Sequence, residues 1–489
     1  MPGADSVGKR KREGAKASIL KSPLYIVGFT RYKYSEALTS ESSCQGEERM
    51  GLCVAPIDCI VTLQDSGKWP DDVEAMRKLS AALYLCMANC LNGDKAEEEE
   101  AAAQLKFVAK AFPDHLQVLG LGYAFRVRIW NEREVRLLRQ LKRKPEADAL
   151  ELARFHRAQH TASISALAHK FPSMGEALRL CKQWTCVHFL AAHAASVDGE
   201  PRAGGGADGL SEEAVELLVA HCYTSALPFA PPSTPLAGFL RFLWLLASTD
   251  WEVSALIVDL SVASEEGSRM TSQAYRECQD AAEQARCAGG QSRRPVPVCL
   301  CTPADQGGVR WTQHGLSPML WGRAVALARD AISCAGRGLA RGKQALLWAS
   351  LERRVSDFDV VIRLKAGASL LKVNGLGAQA FKNTRRKLQA SLLVGLSPVH
   401  ELLRRLREAY GRYALFWADA LHVDTIVALW LPHHSSGGAL SVAHAENTFP
   451  LVISEVGGSG GGGGGVCGAG YCDYVVWVQE AWGGAGERH

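Results

Sequence analysis

Asp357-Phe358-Asp359, running into Val360 and Val361, places two carboxylates at alternate positions of a β-branched run. Alternate residues of a strand project to one face, and two carboxylates on one face suit a pair of metal ions in nucleotidyl transfer. That chemistry also needs a Gly-Ser turn shortly upstream to hold a triphosphate. Gly336-Arg337-Gly338 is too distant and lacks the serine, so the two acids are read as edge carboxylates at the start of a strand. Asp71 and Asp72 are adjacent, point apart, and suit the first turn of a helix. Asp250 and Asp259 flank Trp251 at positions expected for capping. His156 and His160 share a helical face, but no Glu follows the first and no third ligand is apparent, so surface histidines are expected. Gly120 and Gly122 lack the third glycine of a dinucleotide fingerprint and read as close strand packing. Cys299/Cys301 and Cys467/Cys472 do not complete a four-ligand set, and no structural zinc or other cofactor is expected.

The strongest binding candidate is basic. Arg126, Arg128, Arg133, Arg136, Arg139, Lys142, Arg143 and Lys144 run along a predicted strand and the helix after it. Clustered there, they can neutralise phosphates, and a solvated helix face accounts for the same pattern. Arg404, Arg405 and Arg407 with Arg385, Arg386 and Lys387 form a second patch of the same kind. The whole chain does not decide the matter, since 55 Lys and Arg against 51 Asp and Glu leave a net charge of only +4. Lys9, Arg10, Lys11 and Arg12 resemble a nuclear localisation signal.

At 489 residues the chain has room for about three domains. Its 15 cysteines are odd in number and scattered, and those in apolar helical runs, such as Cys86, Cys90, Cys181 and Cys186, read as reduced core thiols of an intracellular protein. No apolar run approaches the length of a membrane span and the N-terminus has no signal-peptide core, so a soluble chain is expected. The Gly457–Gly465 tract has no phosphate-loop spacing and reads as a disordered surface insertion.

The positioning elements follow from periodicity. Ile57 to Leu63 predicts a strand, and Trp69-Pro70-Asp71-Asp72 opens a helix with Val73, Met76, Leu79, Leu83 and Met87 on one face. Val118 to Trp130 alternates apolar and small or basic residues, predicting one long strand. Asn131 with Glu134 caps the next helix, whose Val135, Leu138 and Leu141 face the core. Helices are predicted over 162–168, 177–190 and 211–223, the last capped by Ser211. Pro228, Pro231, Pro232 and Pro235 hold a loop before a largely buried helix from Phe239 to Ala247, with Arg241 as its lone charge. Val296 to Thr302 predicts a strand, 319–335 a helix, 358–364 a strand, and 398–410 an amphipathic helix leading into paired strands 414–417 and 425–431.

Several blocks, in order, carry a family resemblance: SGKWPDDVEAMRKLSAALYL from Ser66, GYAFRVRIWNEREVRLL from Gly122, EEAVELLVAHCY from Glu212, PPSTPLAGFLRFLWLLASTDW from Pro231, CTPADQGGVRWTQHGLSP from Cys301, DFDVVIRL from Asp357 and LREAYGRYALFWAD from Leu406. With them the chain resembles the C-terminal half of the Nrap (nucleolar RNA-associated protein) family of eukaryotic small-subunit ribosome assembly. The resemblance implies an α/β plus α architecture and corresponds to a second module, the first being missing. Residues 1–19 would be a basic disordered tail and 20–148 a degenerate nucleotidyltransferase-like domain. Residues 149–298 would form a helical domain like that of poly(A) polymerases and oligoadenylate synthetases, and 299–485 a mixed α/β domain with the Gly-rich insert 457–465. Lys182-Gln183-Trp184 stands where the synthetases carry a Lys-x-Trp helix motif. The implied function is a non-catalytic nucleolar scaffold that binds pre-ribosomal RNA and small-subunit processome proteins, with no membrane and no small-molecule substrate. An active template-independent RNA nucleotidyltransferase is the alternative.

Overall fold

The computed structural model describes residues 50–63, 69–93, 107–192, 209–260, 270–287, 298–341, 351–363, 370–372, 392–394, 398–418, 425–430 and 477–480, with short breaks at 55, 121–122, 226–227, 252–254, 309, 313–316 and 412. The basic run Lys9–Arg12, the 1–19 tail, the Gly457–Gly465 tract, Arg385–Lys387, Cys467 and Cys472 lie outside the described residues.

Strands β1 (Met50–Val54) and β2 (Ile57–Thr62) precede helix α1 (Val73–Gly93). Asp72 Oδ2 accepts the backbone N–H of Ala75 at 2.8 Å, so the acid caps α1 as expected. Val73, Met76, Tyr84 and Ala88 form the buried stripe. That stripe leaves Leu79, expected in the core, at its edge and exposed, and turns Cys86 and Cys90 to solvent; these two are not core thiols. Cys181 and Cys186 are buried, and all four are unbridged.

The predicted long strand is a hairpin. β3 (Val108–Ala111), β4 (Leu116–Gly120) and β5 (Tyr123–Trp130) are successively antiparallel, with Gly120 opposite Tyr123, so β5 runs back along β4. The alternation of residue types runs on through the glycines, but the reversal switches parity: Val118 lies opposite Phe125, on a face that Leu119 does not share. Gly120 is required where it stands, since a Cβ there would lie 2.2 Å from Phe107 Cδ1. β2 joins in parallel beside β5, giving the order β2-β5-β4-β3. α1 covers one face through Tyr84, Ala88, Leu116, Val118 and Ile129, and the buried Tyr84 hydroxyl accepts the Ile129 N–H at 2.9 Å. The other face meets α2 (Glu132–Gln140) and α3 (Lys144–Glu151), where Trp130 packs with Val135, Leu138 and Ala147. Asn131 caps α2 as expected, accepting from Arg133 N, while Leu141 lies past its end and is exposed.

A π-helical turn (Leu152–His156) leads directly into α4 (Arg157–Lys170), followed by α5 (Met174–Val187), α6 (Glu212–Thr224) and α7 (Pro235–Ser248). Ser211 accepts from Ala214 N and Thr234 from Ala237 N, with Pro235 in the first turn of α7, where its missing donor costs nothing. Trp184 is fully buried among Phe242 and the residues of α6, and Trp251 meets Trp321 edge-on at 4.9 Å. α7 is less enclosed than its composition suggests. Phe239, Phe242, Leu243, Leu245 and Leu246 are buried, but Trp244 is 53% exposed, because only the side facing its helical neighbours is covered.

β6 (Leu256–Ile257), α8 (Ser272–Cys287) and β7 (Leu300–Cys301) follow, the two short strands pairing in parallel. Within the described part of the strand expected over 296–302, which begins at residue 298, only Leu300 and Cys301 pair. After α9 (Pro318–Ala340) come β8 (Val360–Arg363), β9 (Leu370–Lys372), β10 (Leu392–Val394), α10 (Pro398–Tyr410), β11 (Ala414–Ala418), β12 (Thr425–Trp430) and β13 (Trp477–Glu480). An antiparallel sheet of order β11-β12-β8-β13 divides its side chains by period two. Ile362, Phe416, Ala418 and Ala428 pack beneath Val399, Leu403 and Leu406 of α10. Val361, Trp417 and Val427 join Phe358 in the core that the helices share. β1 lies between β10 and β9, so the first described strand is completed by strands from the last third of the chain.

Candidate nucleic-acid interface

Arg126 and Arg128 sit on one face of β5 and are buried, 8% and 7% exposed, not displayed on a basic surface. Arg126 lies opposite Asp58 of β2 and forks onto it, Nε to Oδ1 at 2.5 Å and a terminal nitrogen to Oδ2 at 2.9 Å. Most of the remaining cluster is likewise matched by acids of its own fold. Arg133 pairs with Asp71, Arg136 with Glu132 at 3.6 Å, Arg139 with Glu151 at 2.5 Å, and Arg143 with Glu146 at 2.5 Å. A helix face rich in Arg thus becomes a lattice of exposed ion pairs, each contributing little to stability. Lys142, which turns the chain with φ 59°, and Lys144 are exposed and make no ion pair among the described residues.

Arg128 differs from all of these. Its Nε is buried and finds no hydrogen-bond partner, and no carboxylate pairs with its guanidinium among the described residues. Burial, then the nearby charge of Arg126, pulls its pKa down. Arg154 lies close by; its terminal nitrogen donates to the Ile129 carbonyl at 2.9 Å, fastening the π-helical turn to β5. Nothing in the spacing of the sequence marks Arg154, since a π-helical turn follows neither strand nor α-helical period.

The second polar cluster lies inside the helical unit. His160 is buried, not superficial as expected, because its Nε2 meets the Glu216 carboxylate of α6 at 2.7 Å and its ring lies 5.4 Å from Trp311. The other oxygen of Glu216 accepts from buried Lys182, which also reaches Glu212 at 3.8 Å. Burial alone raises the Glu216 pKa, but the His160 hydrogen bond and the Lys182 charge outweigh it, leaving the carboxyl below its ordinary range. Glu216 was legible as an acid inside the apolar run AVELLVA, a setting that demands partners. His156 is only partly buried, and burial lowers its pKa.

The carboxylates first suspected of chemistry are occupied with the fold. Asp357 lies 3.2 Å from Arg323, whose guanidinium stacks on Phe358, and Asp359 Oδ2 accepts the backbone N–H of Trp430 at 2.8 Å. Asp259 accepts the N–H of Met270 at 2.9 Å. In the second patch, Arg404 pairs with Glu408 and Arg407 donates twice to the Phe416 carbonyl. Among the described residues no three His, Cys, Asp or Glu side chains gather as a metal set, and no helix is long and apolar enough to cross a membrane.

Comparison with known proteins agrees with this architecture. Residues 26–172 match the Nrap protein nucleotidyltransferase domain 4, 207–351 the Nrap protein PAP/OAS1-like domain 5, and 355–456 Nrap protein domain 6. Nucleolar protein 6 of Xenopus tropicalis is 29% identical over 397 residues, covering 78% of this chain and 31% of its own, and human Nucleolar protein 6 is 28% identical over 396. The U3 small nucleolar RNA-associated protein 22 of Schizosaccharomyces pombe is 30% identical over 237 residues, 46% of this chain and 20% of its own. The chain spans about a third of the length of the Nucleolar protein 6 relatives. Among solved structures, apo mtPAP overlays 61% of each chain at 9% identity with a TM-score of 0.31. With Nrap domains 4, 5 and 6 matched in consecutive order, the chain belongs to the Nrap family.

Proposed function

We propose that this chain is a non-catalytic scaffold of nucleolar small-subunit ribosome assembly, holding pre-ribosomal RNA and processome proteins on a nucleotidyltransferase-like frame. The observation that carries this reading is the reversal of charge on the first sheet. Where a transferase needs clustered carboxylates for metal ions, this face of the sheet carries Arg128 beside an Arg126–Asp58 ion pair. The Asp357 and Asp359 carboxylates are held by Arg323 and by the Trp430 amide. Such a frame suits phosphate contact better than phosphoryl transfer. The names of the relatives, nucleolar and U3 small nucleolar RNA-associated, support the same location and the same class of partner. The family's transferase fold supports catalysis only by analogy, since function resides in the site.

Filter binding of the 489-residue chain to single-stranded RNA across a salt series tests the RNA half of this reading. Affinity should fall linearly on logarithmic axes with rising salt and depend little on sequence, as counterion release dictates. RNA affinity that is absent at low salt would leave only the protein-binding part of the scaffold.

A further inference from the structure

Two short elements meet over the sheet with the same order of residue types. β5 carries Arg128 and, next along the same face, Trp130, while the π-helical turn carries Arg154 followed by Phe155. The two aromatic rings stack at 5.4 Å with planes 25° apart, and Phe155 remains 39% exposed. The Arg154 hydrogen bond to the Ile129 carbonyl fixes the two elements together.

A buried guanidinium without a counter-ion is costly unless something supplies the missing charge. Arg126 is neutralised by Asp58, and Glu134 is shared between Arg77 at 3.0 Å and Arg154 at 3.9 Å. Arg128 is the member of the group that makes no ion pair among the described residues: Asp58 and Asp114 act on it only at longer range, and its buried Nε has no hydrogen-bond partner. A guanidinium presents a planar fork matched to phosphate oxygens, and an accessible aromatic ring beside it matches the face of a base. Phosphate recognition by Arg128 and base stacking on Phe155, whose ring is backed by Trp130 two residues along the same strand, fit a nucleotide, whereas an acidic peptide would use the arginine and leave the ring idle.

We infer that Arg128, with Phe155 stacked on Trp130, forms a subsite for one nucleotide of single-stranded RNA, Arg128 taking the phosphodiester and Phe155 the base. This rests on the scaffold reading and locates its RNA contact within the first unit.

The test titrates the full chain and its R128M, R128K and F155A variants against a fluorescein-labelled oligouridylate by anisotropy at several salt concentrations, with K78A as a control on the exposed Lys78–Glu74 pair. R128M and F155A should each weaken binding about tenfold, in line with the loss of one phosphate contact or one stacked base. R128M should also flatten the logarithmic salt slope by about 0.7, F155A should leave the slope unchanged, and K78A should behave as the parent. R128M should melt no lower than the parent without RNA, because it removes an uncompensated charge. If R128M melts far lower, Arg128 is a structural residue and the inference fails, with R128K and F155A then showing whether Phe155 still binds. If the parent binds RNA with a steep salt slope but R128M and F155A match it, the subsite is wrong while the scaffold reading stands. If the parent binds no RNA, the subsite and the RNA half of the scaffold reading both fall, and capture of oligoglutamate by the parent but not by R128M would assign Arg128 to a protein partner.

Discussion

Glu216 ties three helices of the helical unit together, since it is buried and accepts from both His160 and Lys182. Replacing it with Gln removes the charge that both partners face and should cost about 3–5 kcal/mol, as breaking a buried pair by one partner does. The dependence on acidity has a definite sign. The Glu216 carboxyl is held below its ordinary range, so its contribution is complete above the unfolded carboxylate pKa and disappears as pH falls through the folded value. The gap in melting temperature between parent and E216Q should shrink as pH falls from about 5 and close below about pH 4. A gap that widens between about pH 5 and about pH 3 would show that Glu216 does not carry the charge. Trp184, fully buried against Phe242, should cost about 3–5 kcal/mol when truncated to Ala. Equal denaturation midpoints for parent and W184A would remove it from the core.

Elements meet closely enough that single glycines decide their spacing. At Gly238 of α7 a Cβ would lie 2.4 Å from the Tyr223 hydroxyl of α6 and 2.7 Å from Ala177 Cβ of α5. Gly238→Ala should therefore destabilise by about 1–3 kcal/mol despite its better helix propensity. A stabilised G238A in urea unfolding would mean that the three helices are not packed at this distance. Legibility followed the same physics. Ser211 and Asn131 announce their helices because a cap is a local interaction, and α10 and β11–β12 are plain from amphipathicity and paired apolar runs. The β4–β5 hairpin was read as one strand because residue types keep alternating across the turn while the faces exchange. The basic cluster was legible as charge but not as ion pairs, since Asp58, Asp71 and Glu151 reach it only through tertiary structure. Arg128 stood out only once its neighbours had been paired.

At the scale of the molecule, the units are tied together by one shared core and one shared sheet. The helical core continues into Trp417, Val427 and Phe358 of the third unit, and β1 is sheeted between β9 and β10. Such a frame can present separate faces to different partners without any element having to close over a substrate. Its charged chemistry is consistent with holding: arginines on the first sheet, and carboxylates at 357 and 359 engaged by Arg323 and a backbone amide. The measurement that tests this most directly is the length, on a denaturing gel, of a labelled RNA primer incubated with the purified chain, Mg²⁺ or Mn²⁺ and the four nucleoside triphosphates. The primer should keep its length at every time point. Extension that disappears in D357A or D359A would contradict the scaffold and make this chain a transferase.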